Sequence, residues 1–197
     1  MSNITNIMII AVVAVAAIGG GAYFIMNNQN NVTTVEDTTD MYTLASGFAE
    51  AYDGVLGTFE AMDGHTSDKT TVSHANAGSE RLPYSKVTWT KTKDAKADYD
   101  KTSEGIKAKT AIMGSQPKML SVTGFSNITA MKYDVTMGGQ TFSMIYFTAY
   151  EGNTLIESYD ECLYKASSAV TDLELKEFFT EIGKTIGVTG VEVSVIS

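Results

Sequence analysis

The hydrophobic positions follow three patterns along the chain. Residues 7–26, IMIIAVVAVAAIGGGAYFIM, are apolar or small and carry no charge. After a polar stretch, apolar residues recur at steps of three and four, then alternate with polar ones, and finally return to helical steps. The first pattern predicts a membrane anchor. At about 1.5 Å per residue a helix of that length reaches roughly 30 Å, the thickness of a bilayer's hydrocarbon core. Ile7, Ile10, Val13, Ile18, Phe24 and Met26 would then meet lipid. Tyr23 and Phe24 fall near one end, where aromatic side chains favour the interface. The polar run Asn27–Asn31 ends the segment. Two other readings compete. Ala14-Val15-Ala16 and Gly19–Ala22 offer small residues for signal-peptide cleavage, but the preceding MSNITN has no basic side chain. A buried helix of a soluble domain is the third.

The chain therefore divides into a short tail (1–6), a transmembrane anchor (7–26), an Asn/Thr-rich flexible spacer (27–37) and one domain (38–197). No Lys or Arg precedes Lys69, so the positive-inside rule has little to read. The expected topology puts the N-terminus inside and the domain outside the cytoplasm. N-x-[ST] triplets at Asn3, Asn31 and Asn127 agree with that side. Asn31 and Asn127 are the glycosylation candidates.

Within the domain, Met41, Leu44, Ala45, Phe48, Tyr52, Val55, Leu56, Phe59 and Met62 predict a helix from Thr38 or Thr39 to a cap at Gly64. Gly47, Gly54 and Gly57 weaken its far end. Residues 64–80 read as a polar surface loop, and Tyr84–Thr90 alternates as a strand. Asp94–Met113 reads as a second helix, ended by Gly114 and Pro117, with another strand over Pro117–Phe125. Two alternating runs, Met131–Met137 and Phe142–Thr148, flank Gly138-Gly139 and predict a tight hairpin. Glu151-Gly152-Asn153 predicts a second turn, into Leu155–Tyr159. Thr171-Asp172-Leu173-Glu174 spells a capping box for a helix burying Leu175, Phe178, Phe179, Ile182 and Ile186. Val191, Val193 and Val195 alternate as a last strand. This order predicts an α+β fold: an antiparallel sheet of five to six strands with two to three helices packed on one face, after the N-terminal transmembrane helix. Consecutive hairpins exclude a doubly wound parallel sheet.

Charge narrows the function classes. The 197 residues hold 14 Lys and Arg against 23 Asp and Glu, a formal net charge of −9. A nucleic-acid binder needs a basic footprint and is not expected. Bases cluster in residues 81–118, among them Lys86, Lys91, Lys93, Lys96, Lys101, Lys107 and Lys109. Such a window suits anionic headgroups or an acidic partner, or simply a solvated surface balancing its acidic neighbours.

Catalytic signatures are sparse. Cys162 is the sole cysteine, so no disulfide framework or multi-cysteine metal site can form within the chain. Its acidic setting, Asp160-Glu161-Cys162, opposes thiolate formation, and a buried unreactive thiol is the expectation. No G-x-S-x-G elbow, P-loop or dinucleotide fingerprint occurs. Asp63, His65, Asp68 and His74 lie within one polar stretch, and carboxylate and imidazole donors together suit a divalent transition metal. Glu157, Asp160 and Glu161 offer paired carboxylates of the kind glycosidases use. No cofactor is implied.

The layout of short uncharged tail, Ala/Val/Ile/Gly span, polar spacer and acidic domain resembles that of anchored prokaryotic, especially archaeal, surface proteins. It implies a non-enzymatic extracytoplasmic domain, held in the bilayer by residues 7–26, that binds another protein or a ligand. Two alternatives remain. One is a pilin-like subunit self-associating through its apolar helix. The other is a small metal-binding protein or enzyme built on the Asp63–His74 stretch.

Overall fold

In the computed structural model the chain is described over residues 39–74 and 85–196. The apolar run 7–26, the spacer and Asn31 lie outside those residues. No helix among the described residues is long and apolar enough to cross a membrane.

Eleven elements follow in order: α1 (Met41–Ala51), β1 (Glu60–Ala61), β2 (Lys69–His74), β3 (Ser85–Lys91), α2 (Ala95–Lys107), β4 (Lys118–Thr123), β5 (Ile128–Met137), β6 (Gln140–Glu151), β7 (Thr154–Lys165), α3 (Asp172–Thr185) and β8 (Glu192–Val195). The strands form one antiparallel sheet in the order β1-β2-β3-β7-β6-β5-β4-β8. The class is α+β, with three helices and eight strands among the described residues.

The two extra strands are β1 and β2, inside the stretch expected to be helix end and loop. In β2 only Thr70 and Val72 point into the core, so a threonine takes an apolar slot and hides the alternation. The first helix also stops earlier than expected. Asp40, not Thr38 or Thr39, caps it, accepting from the Tyr42 amide at 3.1 Å. It ends at Ala51, and a turn bridging Gly54 and Gly57 reverses the chain. Tyr52, Leu56 and Phe59 still reach the core from this irregular segment, whereas Val55 faces solvent. The second helix closes at Lys107, six residues short of Met113, which sits exposed in the Ile112–Ser115 turn at φ 49°.

The hairpin and capping box form as read. Gly138 and Gly139 both take positive φ (58° and 80°), the geometry a two-residue turn needs to follow strand twist. Thr171 and Glu174 cap each other's backbone reciprocally at the start of α3.

The helices do not share a face. α1 and α3 cover one side, where Phe48, Tyr52, Trp89, Phe147, Phe178 and Phe179 interlock with ring centroids 5.3–5.8 Å apart. α2 lies on the other, its Ile106 packed with Met131, Tyr133, Val135, Tyr146 and Cys162. Neighbours such as Ala130 and Met131, or Cys162 and Leu163, divide between the two cores because strand side chains alternate.

Candidate functional site

The proposed metal ligands do not converge. Asp63 and His65 sit exposed between β1 and β2, Asp68 just before β2, and His74 at its far end, roughly 17 Å along the strand from Lys69. The His65 ring stacks on Tyr42 at 4.3 Å. His74 holds Thr58 O through Nδ1 at 2.8 Å and lies flat against Gly57. Among the described residues no three His, Cys, Asp or Glu side chains gather to hold a metal ion. The imidazole of His74 acts instead as a strut across the Gly54–Gly57 turn.

The three candidate carboxylates point apart. Glu161 pairs with Lys86, Asp160 is exposed, and Glu157 turns inward beneath α2, where Thr102 Oγ1 donates to it at 3.2 Å. Burial raises the Glu157 carboxyl above its ordinary range, and the charges of Asp160 and Asp98 add to that against the Thr102 bond and Lys69. Cys162 is buried and hydrogen-bonded with Tyr146, and burial raises both groups. Lys109 closes over this pair, its ammonium 4.2 Å from the Tyr146 ring and 4.7 Å from that of Tyr159. With α2 docked, Cys162 is a buried thiol covered by this cation–π clasp. Asn127 lies in the β4–β5 turn, but the hydroxyl of its triplet, Thr129, is buried and bonded to Tyr99 and Ser103.

Glu157 belongs to a polar row crossing the sheet. Direct register places Thr71, Thr88, Glu157, Thr148 and Thr129 side by side on β2, β3, β7, β6 and β5. Thr71 and Thr88 share a hydroxyl bond of 2.9 Å. Buried Thr148 Oγ1 has no partner among the described residues.

A concave site lies elsewhere. α1 and α3 run antiparallel on their face, and an open groove of about 260 Å³ forms where the end of α1 meets the start of α3. Tyr52, the carboxylates Asp53, Glu177 and Glu181, the ammonium of Lys176 and the apolar Leu173 line it. The carbonyl end of α1 adds partial negative charge there. Tyr52 is pushed up to about 12, by burial first and then by the charges of Glu177 and Glu174, so its hydroxyl stays neutral. That hydroxyl accepts the Leu56 amide at 3.3 Å, which fixes the turn leaving the helix. The groove is smaller than a typical pocket for a drug-sized ligand and suits one side chain or a small group. It can bind; it holds no nucleophile–base pair.

The groove sits at one end of the sheet. The chain comes into the domain at the other, where the Met41 amide bonds to Ser67 O beside the start of β2. Among the described residues, five of the six exposed large hydrophobics lie at the groove end: Val55, Met113, Met137, Leu173 and Ile196, 45–68% exposed. Sequence reasoning missed this site. Its one local signal is Leu173, an apolar residue inside the capping box, where the first helical turn cannot turn it toward the core. No protein-family model matches the chain, no curated protein resembles it significantly, and no solved structure matches it.

Proposed function

We propose that this chain is a non-enzymatic, membrane-anchored extracytoplasmic domain that binds a protein or ligand at the end of its sheet farthest from the anchor. The uncharged apolar run 7–26 supplies the anchor, and the polar stretch after it carries the chain to α1. What carries the reading is the segregation of exposed side chains. Among the described residues, the end where the chain arrives has Tyr42 as its one exposed large hydrophobic, and the opposite end has the other five plus the groove. One of these five, Leu173, borders the groove itself, and concave sites with an apolar border are where binding occurs most often. A tether at one end leaves the opposite end free to meet a partner.

Protease digestion of intact cells tests the topology. The domain is expected to be cut while a membrane stub survives. Protection until lysis would place the domain inside and end this reading. Filaments in negative stain of the purified full chain would replace it with the pilin-like alternative.

A further inference from the structure

The interface under α2 is unusually polar for a helix packed on a sheet. Only Ala95, Ser103 and Ile106 of its thirteen residues are fully buried. Its central turns rest on the hydroxyl row: Tyr99 and Ser103 bond to Thr129 at 3.0 and 2.7 Å, and Thr102 donates to Glu157. One hydroxyl of that row, Thr148, is buried with no partner among the described residues. By contrast, α3 on the opposite face buries Leu175, Phe178, Phe179, Ile182 and Gly183. Apolar burial is the main source of docking strength, so α2 is the more weakly held element.

Beneath its last turn, Ile106 covers Cys162, Tyr133 and Tyr146, and Lys109 just past the helix covers Tyr146 again. Glu157 is a carboxyl in the interface, beside the thiol and phenols of Cys162, Tyr133 and Tyr146. Charges acting on it include Asp98 from α2, Asp160 on its own strand and Lys69 from β2, and the hydroxyls of Thr88 and Thr148 flank it on β3 and β6.

We propose that α2 is a separately opening cover, held most firmly in acid and loosened toward neutral pH by ionisation of Glu157, and that its opening bares the Met131–Tyr133–Tyr146–Cys162 surface. The direction follows from linkage. Below the ordinary glutamate value of 4.5 the carboxyl is neutral whether α2 is docked or open, and docking is at full strength. As pH rises through the higher value of the docked state, the carboxylate must carry its charge away from water there but not in the open state. Docking weakens across that window and then levels off.

The sole cysteine makes the motion readable. Modification of Cys162 by 4,4′-dithiodipyridine, together with hydrogen exchange in α2 and α3, would be followed on the full chain in mild detergent. Glu157→Gln keeps an acceptor for Thr102 but cannot ionise. At about pH 7 it is expected to slow Cys162 modification and α2 exchange about threefold or more. At about pH 4 it is expected to match the native chain, and α3 exchange should stay unchanged at both. Ile106→Ala is expected to speed Cys162 modification at both pH values without altering α3. Equal native and Glu157→Gln rates at pH 7 would overturn the proposal. So would changes of the same size in α3, or a thiol that neither variant exposes differently.

Discussion

Asp134 on β5 is the residue whose loss should be felt most for its size. Its carboxylate accepts from Ser143 Oγ at 2.7 Å and pairs with Lys118 at 3.1 Å and Lys132 at 3.4 Å. Lys132 is nearly sealed, its side chain 7% exposed, and its other bond is to Val170 O at 2.9 Å. Ser143 in turn accepts the Val170 amide, so sheet and pre-α3 loop close into one ring of bonds. Asp134→Ala strands the Lys132 ammonium with a single carbonyl. Breaking a buried pair from one side costs about 3–5 kcal/mol. The Lys118 arm is half exposed and adds less than about 1 kcal/mol. A loss near 3 kcal/mol is expected, which for a domain of this size lowers Tm by about 6–12 °C. Lys132→Met removes the buried charge itself and leaves Asp134 with Ser143 and Lys118, so only the Val170 carbonyl is orphaned, at about 1–2 kcal/mol. Urea unfolding with constant m-values measures both. The difference should also depend on pH. Burial alone would raise the Asp134 carboxyl, but the Ser143 and Lys118 bonds and the two lysine charges outweigh it and hold it below 3.8. Its contribution is therefore complete above 3.8 and is lost as pH falls through the lower native value. If Lys132→Met proves as damaging as Asp134→Ala at neutral pH, the asymmetry argued from this ring is wrong.

Other substitutions probe the two faces separately. Phe178 is fully buried against Phe48, Tyr52, Phe147 and Phe179, so Phe178→Ala should cost about 3–5 kcal/mol by urea unfolding. Gly57→Ala meets both a φ of 105° and the His74 ring, which the added carbon would strike. It should cost about 1–3 kcal/mol and disturb the His74 imidazole resonances by NMR, whereas Gly64→Ala, strained in φ but in open space, should leave them in place. Thr171→Ala removes half of the capping box and should cost about 1 kcal/mol, with exchange quickening first in the opening turn of α3.

What the sequence made legible was local. The Gly138-Gly139 turn and the Thr171–Glu174 box are set by a few adjacent residues, and both formed where read. The end of α1 was not legible because Tyr52, Leu56 and Phe59 keep helical spacing while the chain has already left the helix; periodicity alone cannot tell a buried turn from a buried helix. The side of the sheet taken by α2 was hidden for a different reason. Met131, Tyr133 and Val135 are as apolar as the residues between them are small or paired, so both faces of β5 look coverable. The hydroxyl row and the groove depend on register between strands and helices far apart in sequence, and no single stretch carries either.

The sheet is assembled from two pieces of chain. β1 to β3 arrive first, β4 to β8 later, and the seam joining them is β3 against β7, with Lys91 opposite Thr154. During synthesis β3 must wait for about 60 more residues, some 3–12 s at ordinary elongation rates, with Val87 and Trp89 as yet unpacked on that side. Over that interval its open edge is guarded by Lys86 and Lys91, side chains that discourage pairing with a stranger's strand. The late closure of this seam makes the domain a slow folder, completed only when the C-terminal half is made.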